Sequence, residues 1–205
     1  MKLLIISALF PIILSQQLQP IPPSEDGFAY GSPSANVTLD VFYDHLCDGS
    51  AASWPSLYTY WGQNQDWLRM VVHIFPLPYH YYTYTVSRAG RFIQLEYPSN
   101  FTSYLTWMFL HQSKYLSAAE SWDEKTLYNY LAQDTQTATG VPFSLTDNAL
   151  NNKTYDYNLR VSWKYAASKG ITGTPQYMVN GIWTPGASNC DTVQCWQDYF
   201  AGLFS

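Results

Sequence analysis

The chain has 205 residues, 47% of them hydrophobic, enough to bury a substantial core and suited to one domain with room for an insertion. Charged residues make up only 12% while aromatic ones reach 18%, so Tyr, Ser, Thr, Asn and Gln must supply much of the polar surface, as in secreted proteins. A net charge of −5 leaves no basic stripe to neutralise phosphates, which excludes a nucleic-acid binder.

In chain order, "MKLLIISALFPIILSQQ" places Lys2 before an apolar run from Leu3 to Leu14 and the small Ser15, the form of a cleaved signal peptide over residues 1–15. The run is interrupted by Pro11 and falls short of the roughly 20 apolar residues a membrane helix needs. No later segment is longer and as apolar, so no membrane span is expected in the mature chain. A secretory route follows, to the endoplasmic reticulum lumen or the extracellular space. Three N-x-[ST] sequons, at Asn36, Asn100 and Asn152, become glycosylation candidates on that route.

Residues 16–35 are rich in Pro, Gly and Ser and read as an extended lead-in without regular structure. "NVTLDVFYD", Asn36 to Asp44, alternates as a strand does and ends just before Cys47. A helix from Gly49 through Trp61, kinked by Pro55, then places Cys47 at its N-terminus. A second strand spans Leu68 to Phe75 and runs into "PLP". Helical signals fill residues 79–170: Val86, Ala89 and Ile93 share one face, and Phe101, Leu105, Met108 and Phe109 share another. "SWDE", from Ser121 to Glu124, has capping-box form, and a further helix from about Thr146 to Lys169 stops at Gly170. Asn180 and Gly181 signal a two-residue hairpin, and a final helix runs from about Cys190 or Asp191 to Phe204.

Three cysteines in an oxidising compartment leave one unpaired. Cys190 and Cys195 are close enough to form a disulfide, the alternative being two free thiols. Cys47 is then the odd one. No second cysteine pair or nearby histidine completes a zinc set, and no phosphate loop or triad spacing occurs, so no cofactor or metal is expected. His73 reads as a core histidine, His111 as a solvated one on a polar helix edge. Asp44, at the strand end, suits a turn or capping role.

This order of elements, with "FYDHLCDGS", "FPLPYH", "SKGITGTPQYMVNG" and a short C-terminal helix, resembles the DsbA-like branch of the thioredoxin fold. The resemblance implies an α/β thioredoxin-like core from residues 36–78 and 171–205 with a helical domain, 79–170, inserted into it. It also implies a cis Pro175 against the active-site cysteine, with Thr174 offering backbone groups to an extended client peptide. The family has D-x-x-C-x-x-C where this chain has Ser50 in place of the second cysteine.

Cys47 at a helix N-terminus is set up as a nucleophile, and Ser50, one turn on, can donate a hydrogen bond to its sulfur. Asp48 opposes thiolate formation, whereas His45 would favour it if its ring faced the sulfur. A lone thiol can form a mixed disulfide or isomerise one, but without a resolving cysteine it cannot carry out a two-cysteine redox cycle. The leading expectation is therefore monothiol thiol-disulfide exchange with client proteins or peptides, or with glutathione. A second is a non-catalytic peptide- or partner-binding protein, with aromatics such as those of "PYHYYTY" (Pro78 to Tyr84) on its surface or, alternatively, in its core. A third is a glutathione-using kappa-class transferase, a class with the same inserted architecture that has serine where Cys47 stands.

Overall fold

The computed structural model describes residues 21–22, 24–117 and 121–203, so the signal-peptide reading and the last residue of the final helix lie outside the described residues. Three strands form the centre of a five-stranded sheet: β2 (Val37–Tyr43), β3 (Leu68–Ile74) and β4 (Gln176–Val179). β2 and β3 run parallel, from Val37 beside Leu68 to Tyr43 beside Ile74. Parallel neighbours need a crossover, and α1 (Asp48–Gln63) supplies it. β4 lies antiparallel on the other side of β2, and β5 (Ile182–Trp183) completes that edge. Between β4 and β5, Asn180 and Gly181 both have positive φ, 50° and 77°, as a tight hairpin turn demands.

The opposite edge corrects the expected lead-in. Phe28–Tyr30 forms β1, antiparallel to β3, so residues 16–35 are not wholly irregular. The three-residue strand is held by its rings: Phe28 contacts Phe101 at 5.0 Å and Tyr30 contacts Trp61 at 5.3 Å between centroids.

Among the described residues five α-helices occupy the chain between β3 and β4: α2 (Thr83–Glu96), α3 (Phe101–Ser117), α4 (Glu124–Thr139), α5 (Phe143–Leu150) and α6 (Lys153–Ser168). Two boundaries differ from the sequence reading. α4 is capped by Asp123, whose side chain accepts from the Thr126 N–H at 2.8 Å, not by Ser121. The helix expected from Thr146 to Lys169 is two helices, because Asn152 accepts from the Thr154 N–H and starts α6 afresh. α7 (Val193–Leu203) ends the described chain, and Cys190 and Cys195 are joined as a disulfide at its start. Pro55 lies inside α1, which continues beyond it to Gln63.

Alternation along the strands divides the core. Leu39, Val41 and Tyr43 face a large cluster with Met70, Val72 and Trp196, while Phe42 and Met178 face a smaller one with Cys47, Phe75, Leu77 and Ala166 of α6. Burying apolar area on both faces of β2 and β3 supplies the dominant favourable free energy, about 25 cal/mol per Å². On the second face His73 is a core histidine, 1% exposed, with its two ring nitrogens 3.1 Å from Asp26 and 3.0 Å from Asp40. Burial opposes its charge, but the two carboxylates outweigh burial and raise its pKa. Burial likewise opposes charge on Asp26, yet His73, Arg91 and Ser162 together hold its pKa low. His111 is not simply solvated: its ring stacks on Trp107 with centroids 3.9 Å apart.

Candidate functional site

β2 delivers three polar or reactive residues, Asp44, His45 and Cys47, to the N-terminus of α1. Asp44 is fully buried and accepts four hydrogen bonds, from the Leu46 N–H (2.8 Å), the Leu77 N–H (2.9 Å), His80 Nδ1 (2.8 Å) and the Thr83 hydroxyl. It ties the strand end to the "PLPYH" segment and the first turn of α2, a structural role at the turn. His45, next in line, is 1% exposed and turns toward the helical insertion. Its Nδ1 lies 3.2 Å from the Ser87 hydroxyl and its ring meets Tyr104 edge-on. Burial, only partly offset by Asp44, drives its pKa down to about 4, so the ring is neutral at physiological pH. The orientation that would assist the sulfur is therefore not adopted.

Cys47 is the N-cap residue of α1 and 6% exposed. Its S–H donates to the carbonyl of Thr174 at 3.2 Å, and the Thr174–Pro175 peptide bond is cis. The loop approaches so closely that a Cβ added at Gly49 would lie 2.9 Å from Pro175 Cδ and 3.8 Å from Cys47 Sγ. Glycine at position 49 is what lets the helix end reach this loop. Sequence reasoning passed over it, since a lone Gly at a helix start carries no distinguishing signal.

Ser50 corrects another expectation. It is fully buried at the third position of the helix, yet its hydroxyl has no hydrogen-bond partner among the described residues, Cys47 included. The Thr174 hydroxyl is likewise buried and unpartnered. Asp48 uses Oδ1 to accept from the Gly49 N–H at 2.8 Å. The structure thus brings Cys47, Thr174 and Pro175 together, shows no bond from the Ser50 hydroxyl to any of them, and leaves Cys190 and Cys195 as a separate disulfide. Among the described residues no group of three or more His, Cys, Asp or Glu side chains is placed to hold a metal ion.

The glycosylation candidates differ in their surroundings. Asn36 and Asn152 are exposed, whereas Asn100 is half-buried and its side-chain nitrogen donates to the Thr139 carbonyl at 2.8 Å. "PYHYYTY" divides: Tyr82 is buried, while Tyr79 and Tyr81 stand 71% and 61% exposed.

Neither a protein-family model nor a curated protein matches the chain. Solved structures do match its fold. A Pseudomonas syringae protein assigned as a protein-disulfide isomerase superposes with a TM-score of 0.71 at 18% identity, covering 85% of this chain and 97% of that one. The thiol-disulfide oxidoreductase MdbA of Actinomyces oris gives 0.64 at 16% identity over 85% of this chain and 84% of its own. Chlamydia trachomatis DsbA gives 0.64 at 13% identity over 90% of this chain and 96% of its own. The chain therefore has the DsbA-like thioredoxin fold, with five helices inserted between β3 and β4.

Proposed function

We propose that the protein is a monothiol thiol-disulfide exchange protein of the secretory pathway, acting on client proteins through Cys47. The observation that carries this reading is the 3.2 Å contact between Cys47 Sγ and the carbonyl of Thr174 at the N-terminus of α1. In the step proposed, the S–H releases its proton to solvent and the thiolate attacks one sulfur of a client disulfide. A Cys47–client disulfide forms, the client S–S bond breaks, and the departing thiolate takes up a proton, so the exchange is redox-neutral. The position of Cys47 as N-cap of α1 puts the sulfur at the positive end of the helix dipole, which favours the thiolate. A client strand laid along Thr174 would take over the carbonyl that now accepts from the Cys47 S–H.

With Ser50 where a resolving cysteine would stand, the adduct lasts until an external thiol, such as glutathione or a second client cysteine, attacks it. This suits retention or isomerisation of clients and not net oxidation. The Cys190–Cys195 disulfide and the N-terminal signal-type sequence support an oxidising, secretory setting, and the exposed Asn36 and Asn152 are the sequons best placed for glycans.

One observation favours the binding-only reading: Cys47 is 6% exposed and packed among Phe42, Leu77 and Met178. Incubation of the native protein with a small disulfide-bonded peptide, followed by intact-mass and peptide-mass analysis, separates the two. Exchange predicts one peptide half linked to Cys47 and no adduct in Cys47→Ala. Absence of an adduct on the native wild-type protein removes the exchange reading.

A further inference from the structure

We infer that the groove between the Pro76–Pro78 turn and α6 is a subsite for a short acidic peptide segment bearing a bulky apolar side chain. It rests on the thiol-exchange reading only in taking that segment to flank the reacting cysteine of a client.

The groove encloses about 670 Å³, within the range of roughly 300–1,000 Å³ typical of ligand pockets. Its walls are aromatic and aliphatic: Tyr81, Tyr84, Tyr157 and Trp163 with Leu77 and Val161. On α6, positions 157, 160, 161 and 164 recur at helical spacing and present one face to it. Tyr81 and Tyr157 remain 61% and 60% exposed, large side chains that the protein's own core does not use.

Charge selects the occupant. The whole chain carries 15 acidic residues against 10 basic, yet the groove lining contains no Asp or Glu and has Arg160, Lys164 and His80. His80 is committed to Asp44, and Arg160 pairs with Asp156 at 2.9 Å. Lys164 is exposed and has no ion-pair partner among the described residues. An unpaired ammonium at the mouth of an aromatic groove is complementary to a carboxylate attached to an apolar side chain, because the charge-assisted contact adds to burial of the ring or alkyl group.

The groove also adjoins the thiol. Leu77 packs in the same cluster as Cys47, and Phe75 of that cluster stacks on Trp163 at 5.4 Å with planes 7° apart. Asp48 sits at the thiol end, so repulsion there directs an acidic segment's carboxylates toward Lys164.

The test uses two fluorescently labelled, cysteine-free peptides, Glu-Trp-Glu-Leu and Lys-Trp-Lys-Leu, titrated by anisotropy at low ionic strength. We expect the acidic peptide to bind wild type and Cys47→Ala alike, about tenfold tighter than the basic one, and Lys164→Glu to weaken it by about tenfold. Added salt should weaken it too. Equal affinity for both peptides, or an unchanged affinity in Lys164→Glu, overturns the inference. Binding that persists where no Cys47 adduct ever forms leaves the groove standing and removes the exchange reading. Cys47 adducts forming equally fast, by exchange, with acidic and basic disulfide-bonded peptides remove the groove and leave exchange.

Discussion

Asp44 and Cys47 stand three residues apart at the end of β2, both nearly sealed from solvent, and their polar surroundings differ sharply. The Asp44 carboxylate receives four hydrogen bonds from three segments. Around Cys47 the polar groups are under-used: the Ser50 and Thr174 hydroxyls have no partners among the described residues, and the thiol makes one contact, to a carbonyl. Burying an unpartnered hydroxyl costs about 1–3 kcal/mol, a cost that folding alone gives no reason to retain. The first centre is built for stability, and the second keeps polar groups that the fold itself does not use.

The contrast can be broken most forcefully at Asp44. Asp44→Ala strands a half-buried imidazole, a buried hydroxyl and two N–H groups, and we expect a loss of about 3–5 kcal/mol in urea unfolding. A loss under 1 kcal/mol would mean that Asp44 is no scaffold. Next comes acid. His45 has a folded pKa of about 4 against roughly 6.5 when unfolded, so between these values the unfolded chain binds the extra proton and stability falls as pH drops. The full shift corresponds to roughly 3 kcal/mol, present above pH 6.5 and gone below pH 4. Unfolding midpoints across that window should show the drop, and His45→Gln should reduce it. The smallest effect is at the thiol centre. Ser50→Ala removes an unpartnered hydroxyl and should stabilise the protein by about 1 kcal/mol, whereas destabilisation of that size would reveal a bond the hydroxyl makes in solution.

Much of the scaffold was legible beforehand because its signals are local. Alternation in "NVTLDVFYD" and the Asn180–Gly181 turn each state their conformation within a few residues, whereas the "GTP" loop was readable only through the resemblance. β1 was missed because three residues carry too little periodicity, and its partners, β3 and the rings of Phe101 and Trp61, lie far along the chain. The division of α5 from α6 was missed because Asn152 reads as a helix interior until its capping bond to Thr154 is seen. At the site, the cysteine and its loop could be named, but not the idle Ser50 hydroxyl or the rotation of His45 toward Ser87, which depend on rotamers set by packing. The groove was half visible, as the aromatics of "PYHYYTY". Its other wall comes from α6, far along the chain.

The central claim is that Cys47 is a working thiol despite its 6% exposure. Its most direct test is the rate of iodoacetamide labelling of Cys47 in the native protein against the urea-unfolded chain, followed by peptide mass spectrometry. The account predicts native labelling at a rate far above that of global unfolding. Protection that is lifted only when the whole fold opens would contradict it.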